Sequence, residues 1–210
     1  MTDFRDQKQL NDIYIEEIRD YLQGILGADK VIAFGPTLRQ TKPIPGSEYQ
    51  PPGTDVHIDY TSIRSHSLAK NLIANSSDPN YQYSHFICVN LWRAISPPPQ
   101  DWPLAICDAE SVDPRDGTPN LMIRCEKIPD VNSLGPIENE DSCLAAFLFE
   151  HRTEQKWYYF SDMKDDELLL FKLFDSEKEN GRCPHAAFFA GREGAYPRES
   201  VEIRTVAYWK

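Results

Sequence analysis

Short runs of β-branched and aromatic residues alternate with turn residues over most of this 210-residue chain, one amphipathic segment opens it, and only one further helical stretch interrupts it. These three observations predict a mainly β fold with flanking helices, its antiparallel sheets packed as a sandwich, jelly roll or barrel and not as a parallel α/β sheet. The length suits one domain over residues 1–210, large enough to bury a core and shape a pocket.

In chain order, Leu10, Ile13, Ile18, Leu22 and Ile25 recur at helical spacing, which predicts a helix over about 8–26 with Gly27 as the residue that ends it. VIAF (31–34) reads as a short strand. The prolines and glycines from Pro36 to Gly53 then disfavour both helix and ladder and predict a loop. Strands are expected at VHIDY, HFICVNLWRAI, LAICDAE, NLMIRCEKI, AAFLFE, QKWYYF, ELLLFKLFD, HAAFFA and SVEIRTVAYW, with a helix over 62–76 after the first of them.

A formal charge of −11 and the lack of any basic run argue against a polyphosphate partner. The longest apolar stretches fall far short of the ~20 residues of a spanning helix, and the polar start MTDFRDQKQ lacks the apolar core of a signal peptide. A cytoplasmic protein with neither nucleic-acid nor membrane partner is expected. Five cysteines, odd in number and never in a C-x-x-C pair, read mostly as buried reduced thiols, against a disulfide framework or a thiolate zinc site.

In VHIDY, His57 and Asp59 lie two residues apart, so on a strand they project from one face and can meet one ion. H-x-D alone is common. His185 in CPHAAFF adds a third donor, and two imidazoles with one carboxylate leave open positions that suit Fe(II) with a bidentate co-substrate and dioxygen. A closed zinc site would want four protein ligands. If the co-substrate is 2-oxoglutarate, its distal carboxylate needs a cation. Arg198 with Ser200 on the same strand face, Arg204, and Lys172 within an apolar run are the candidates. For His66, His85 and His151 a structural or exposed role is expected.

The stretches VHIDYT, VNLWRAI with PLAICDAESV, KWYYFSDMKDDELLLFKLFDS, PHAAF and PRESVEIR, spanning roughly residues 11 to 206, resemble a family of hydroxylases and desaturases of fungal secondary metabolism. That family also takes in relatives of the hydroxylase subunit of the 7α-cephem methoxylase. The resemblance implies a double-stranded β-helix (jelly roll, cupin-like) of the non-heme iron oxygenase type. It aligns His57, Asp59 and His185 with the metal triad and Arg198 with the co-substrate arginine.

By the same resemblance, Asn90, Trp92 and Arg93 in NLWR and Tyr158 and Tyr159 in KWYYF match family motifs; core packing is the better reading of Trp92. Asn90, Arg93 and Tyr158, with Tyr60 directly after the H-x-D, are the substrate-binding candidates. The expected activity is 2-oxoglutarate-dependent hydroxylation, desaturation or oxidative ring formation on a small molecule, with dioxygen.

Two rivals remain. The same metal fold could run a redox-neutral isomerisation or a 2-oxoglutarate-independent oxidation. Alternatively, since family members carry a longer N-terminal portion, the chain could be a non-catalytic subunit. That difference also makes a homo- or hetero-dimer an expectation.

Overall fold

The computed structural model describes residues 3–121, 130, 144–178 and 181–210. Its strands in chain order are β1 Lys30–Gln40, β2 His57–Ile58, β3 His85–Ala94, β4 Leu104–Cys107, β5 Gly117–Leu121, β6 Leu144–Phe149, β7 Trp157–Tyr159, β8 Leu169–Asp175, β9 His185–Ala187 and β10 Glu199–Trp209. They form a four-stranded sheet in the order β1-β10-β3-β8 and a six-stranded sheet in the order β5-β6-β2-β9-β4-β7. Every ladder is antiparallel, the jelly-roll arrangement.

Helical structure begins where the apolar spacing placed it, as α1 Gln7–Gln9, a π-helical turn Leu10–Tyr14 and α2 Ile15–Leu26. Asp6 caps the start by accepting from the Lys8 and Gln9 amides, and Gly27 ends α2 at φ 62°, in the left-handed region that glycine adopts without cost. Leu10, Tyr14, Ile18 and Leu22 fall on one face and pack on Val89, Leu91, Val201, Ile203 and Ala207, the outer face of the four-stranded sheet. Each such Leu or Ile contributes about 1.5–3 kcal/mol when fully buried.

Alternation then sends the neighbours of those residues inward. Phe86, Cys88, Trp92, Val206 and Tyr208 join Leu104, Leu173 and Phe174 in a second core between the sheets, with Ala69 and Ile73 of α3 (Ser62–Ala74). Thr61 caps α3, and the Tyr208 hydroxyl donates to the Ala69 carbonyl at 3.0 Å, fixing the helix to β10.

The expected loop after VIAF starts later than proline content suggests. β1 continues through Gly35 and Pro36 to Gln40 because it is an edge strand and because its register slips between Phe34 and Thr37. A bulge with Gly35 at φ 60° accommodates a proline that could not sit in a central ladder. Of the NLMIRCEKI run only its start is seen, within β5; the rest, with Cys125 and Cys143, lies outside the described residues. Cys88, Cys107 and Cys183 are free thiols. Among the described residues no helix is long and apolar enough to cross a membrane.

Candidate metal centre

β2 is only two residues long, yet it sits between β6 and β9, and its register puts His57 directly opposite His185. Two histidines far apart in sequence thus become cross-strand neighbours, their ring centroids 4.4 Å apart. Asp59 follows one residue after the strand and turns back to the same face. Its Oδ1 lies 3.5 Å from His57 Nε2 and 3.8 Å from His185 Nε2, and the donor atoms of all three residues fall within 4.8 Å of one another.

Each histidine is oriented the same way. His57 Nδ1 lies 2.7 Å from the Asp55 carbonyl and His185 Nδ1 lies 3.2 Å from the Cys183 carbonyl. A carbonyl only accepts, so Nδ1 carries the proton and Nε2 presents its lone pair to the shared point. Burial pushes His185 down to about 4, so it is neutral across the physiological range. Burial acts the same way on His57, but the adjacent Asp59 carboxylate outweighs it and raises the imidazole above its ordinary value. Burial alone would raise Asp59; the Arg204 guanidinium and the two histidines hold it well below the usual carboxylate range. Two neutral-capable imidazoles and one ionised carboxylate converge on a point, a donor set that fits a divalent cation and leaves coordination positions for other ligands.

Behind Asp59 stand three charged side chains of the four-stranded sheet. Arg204 Nε donates to Asp59 Oδ2 at 2.8 Å, and Arg204 Nη2 donates to Glu202 Oε1 at 2.7 Å. Arg39 Nη2 reaches the same Glu202 oxygen at 3.2 Å, and Arg39 Nη1 donates to the Pro51 carbonyl at 2.9 Å. Arg204 is therefore committed to the Asp59 carboxylate and Glu202, not free to receive a co-substrate as its place on the strand allowed.

A narrow polar cleft of about 20 Å³ lies beside the triad, lined by His57, His185, Arg39, Trp92, Arg198 and Glu202, with Gly53 at its wall. A Cβ at Gly53 would come within 3.2 Å of His57 Cε1, so a side chain there would press on that imidazole ring. Arg198 is 1% exposed, donates from Nη1 to the Trp102 carbonyl at 3.0 Å, and lies 5.3 Å over the Trp92 ring. Its Nε and the Ser200 Oγ are buried without a hydrogen-bond partner among the described residues. Burial, with Arg39 nearby, pushes the guanidinium down to about 10. A buried guanidinium without an acidic hydrogen-bond partner among the described residues, next to an orphaned hydroxyl, fits a carboxylate.

On the other side of His185 lies a cleft of about 460 Å³ lined by Ile106, Tyr158, Phe160, Leu169, Phe171 and Cys183, among others. Its contact with the centre is direct: the Phe171 ring is 4.7 Å from the His185 ring, and Tyr158, Ile106 and His185 stand in one row across β7, β4 and β9.

The remaining predicted residues are dispersed. Lys172 is paired in register with Val89 and its ammonium is held by Asp175 at 3.0 Å; it borders the apolar cleft and does not line the polar one. Arg93 also points outward, stacked over Phe4 and Tyr14 at 4.7 and 5.5 Å and donating to the Asp165 carbonyl. Tyr60 packs against the inner core, where burial raises its phenol. Asn90 is fully buried as the register partner of Arg204, with both carboxamide atoms unpartnered among the described residues. His66 packs edge-on to Phe86 and Phe174, His85 stacks on Trp209 and meets Asp175 at 3.1 Å, and His151 is exposed.

Glu202, Arg39 and Gly53 carry no motif that singles them out in the sequence. Parity was the available signal for Glu202, because Ser200, Glu202 and Arg204 alternate along one face of β10 and Arg198 precedes them at the same spacing.

A jelly roll with a two-histidine, one-carboxylate cluster between its sheets defines the class of protein. A family model described as an oxidoreductase/YMDC permease-like domain matches residues 1–208, and the chain belongs to that family. It is 30% identical to the Fe(II)/2-oxoglutarate-dependent dioxygenase nvfI of Aspergillus novofumigatus over 93% of its own length and 66% of that protein's. It is 28% identical to the hydroxylase/desaturase CTB9 of Cercospora beticola, over 100% of this chain and 68% of the relative. The chain thus spans about two thirds of these relatives' length. Among solved structures, the iron and alpha-ketoglutarate-dependent endoperoxidase NvfI superimposes with a TM-score of 0.82 at 28% identity, covering 98% of this chain and 72% of that one. The fold is shared with that oxygenase.

Proposed function

We propose that the chain is an Fe(II)/2-oxoglutarate-dependent dioxygenase that oxidises a largely apolar small molecule by hydroxylation, desaturation or ring formation. One observation carries this reading: a single cleft is lined both by the triad histidines and by Arg198, a buried guanidinium with no acidic hydrogen-bond partner among the described residues. His57, Asp59 and His185 are the residues to hold the iron. Arg198 and Ser200 are those to hold the distal carboxylate of 2-oxoglutarate, by charge-assisted hydrogen bonds.

When both are bound, they supply dioxygen activation, with electrons from decarboxylation of 2-oxoglutarate to succinate. The protein's own part is placement. The carbonyls of Asp55 and Cys183 fix the histidine tautomers, Trp92 covers one face of the Arg198 guanidinium, and Phe171 walls His185 on the apolar side. Tyr158 and Phe160 border the space for substrate, and their apolar surroundings favour a molecule with little charge. The net charge of −11 supports a small-molecule partner over nucleic acid, and the three free cysteines among the described residues suit a reducing cytoplasm.

The test is an anaerobic titration of Fe(II)-loaded protein with 2-oxoglutarate, followed by admission of oxygen. The weak visible charge-transfer band of an α-keto acid on Fe(II), and then succinate, are expected. Iron binding without the band would instead support a redox-neutral or 2-oxoglutarate-independent enzyme. No iron binding at all would leave the non-catalytic subunit.

A further inference from the structure

Asp59 divides its two oxygens between two tasks. Oδ1 faces the Nε2 atoms of His57 and His185 at 3.5 and 3.8 Å, while Oδ2 accepts from Arg204 Nε at 2.8 Å. A carboxylate with both oxygens available can swing or chelate an ion through both, filling a position that a co-substrate or dioxygen needs. The guanidinium removes Oδ2 from that competition.

Arg204 is itself fixed. Its Nη2 donates to Glu202 Oε1 at 2.7 Å, and Arg39 Nη2 donates to the same oxygen at 3.2 Å. Glu202 is 7% exposed and lines the polar cleft, where a dianionic co-substrate is to bind. A buried carboxylate at such a place is costly in itself, and for stability alone an apolar residue would serve as well. Its position is accounted for by what it holds, since Arg204 left without it could rotate off Asp59.

Resting on the metal reading above, we propose that Arg204 is a positioning residue that keeps Asp59 a one-oxygen ligand, and that Glu202 is the anchor that keeps Arg204 in place. The guanidinium bonds to Asp59 and Glu202, so it acts on the centre through Asp59.

The experiment uses Co(II) as the probe, titrated into metal-free protein while its visible d–d absorption is recorded, with thermal unfolding as the check on folding. Wild type binds one Co(II), and His57→Ala abolishes that binding. Arg204→Gln lowers Co(II) affinity by about 10–100-fold, the usual effect of losing an outer-shell partner, and changes the d–d spectrum because the carboxylate geometry changes. Arg204→Lys keeps the charge without the planar fork and falls between the two. Glu202→Gln, which keeps shape and an acceptor oxygen, moves affinity in the same direction by a smaller factor.

Wild-type affinity and spectrum in Arg204→Gln overturn the inference. Should that variant fail to fold, Glu202→Gln decides: weaker binding with an altered spectrum supports the positioning role, and an unchanged pair of readings overturns it. Failure of wild type to bind Co(II) removes the metal centre itself, and the inference with it, and is told apart from the other outcomes by the wild-type arm alone.

Discussion

His185 separates two clefts built on opposite principles. On one side, Glu202 and Arg204 come from a single face of β10, the longest central strand, and Arg198, which immediately precedes that strand, is 1% exposed. On the other, Tyr158 stands on a three-residue edge strand and is 62% exposed. On the function proposed above, charged groups are buried where an anion of fixed shape would be held, and aromatic groups are left accessible where an apolar molecule would enter. Rigid central ladders keep the first geometry fixed, and an exposed edge lets the second vary without disturbing the triad. On that proposal, the two faces of one histidine separate what the chemistry needs from what the substrate decides.

The most severe way to break this arrangement is to remove His185, which lines the polar cleft and packs on Phe171 of the apolar one. His185→Ala is expected to lower Fe(II) or Co(II) affinity by more than about 100-fold, beyond the cost of an outer-shell change, with thermal unfolding still cooperative; equilibrium metal titration reads it. Arg198→Ala comes next. It removes charge-assisted hydrogen bonds worth about 1.5–3 kcal/mol, so the Kd of 2-oxoglutarate measured on metal-loaded protein rises about 10–100-fold while metal affinity stays put. An unchanged Kd would break the assignment of the polar cleft.

Tyr158→Ala sharpens the contrast from the other side. An exposed side chain outside the polar cleft changes energies by only about 0.5 kcal/mol, so the 2-oxoglutarate Kd is expected to move less than about 2-fold. A tenfold change would mean that the two clefts are not independent.

The smallest effect on the centre is expected outside both clefts, at Asp175, which receives the Lys172 ammonium and meets His85. Burial would raise its carboxyl, but these partners, with the Glu177 amide, lower it to about 2 from the ordinary 3.8. A folded-state value below the unfolded one means stability that is present above about 3.8 and lost as pH falls through about 2. The melting temperature of Asp175→Asn should therefore lie below wild type at neutral pH and converge with it toward pH 2, as calorimetry across that range would show.

Legibility followed the same division. Face parity within a segment is readable: strand alternation alone places His57 with Asp59 and Arg198 with Ser200, and the helix over 8–26 ends at Gly27 as its spacing requires. Parity also carried a warning in NLWR, because Asn90 and Arg93 are three apart and cannot share a strand face. Arg93 pairs with Val201 and stacks beneath the N-terminal helix. Lys172 was not readable in this way. The register slips between β3 and β8 at Cys88 and Val89, and such a bulge resets the inward and outward assignment of every residue beyond it. Arg204 was legible only as one of three candidate cations, and its partner was not, since nothing local says that Asp59 lies across from β10.

The sequence by itself determined the mainly β class, the helical start, the three candidate ligand residues and the face on which Arg198 and Ser200 lie, because alternation, spacing and residue chemistry are local. Only the tertiary structure decided that His57 stands opposite His185, that Arg204 serves Asp59 while Arg198 faces the cleft, and that Glu202 lies beside the triad at all. Strand register and sheet order are set by packing between distant segments, and they alone convert a face into a neighbour.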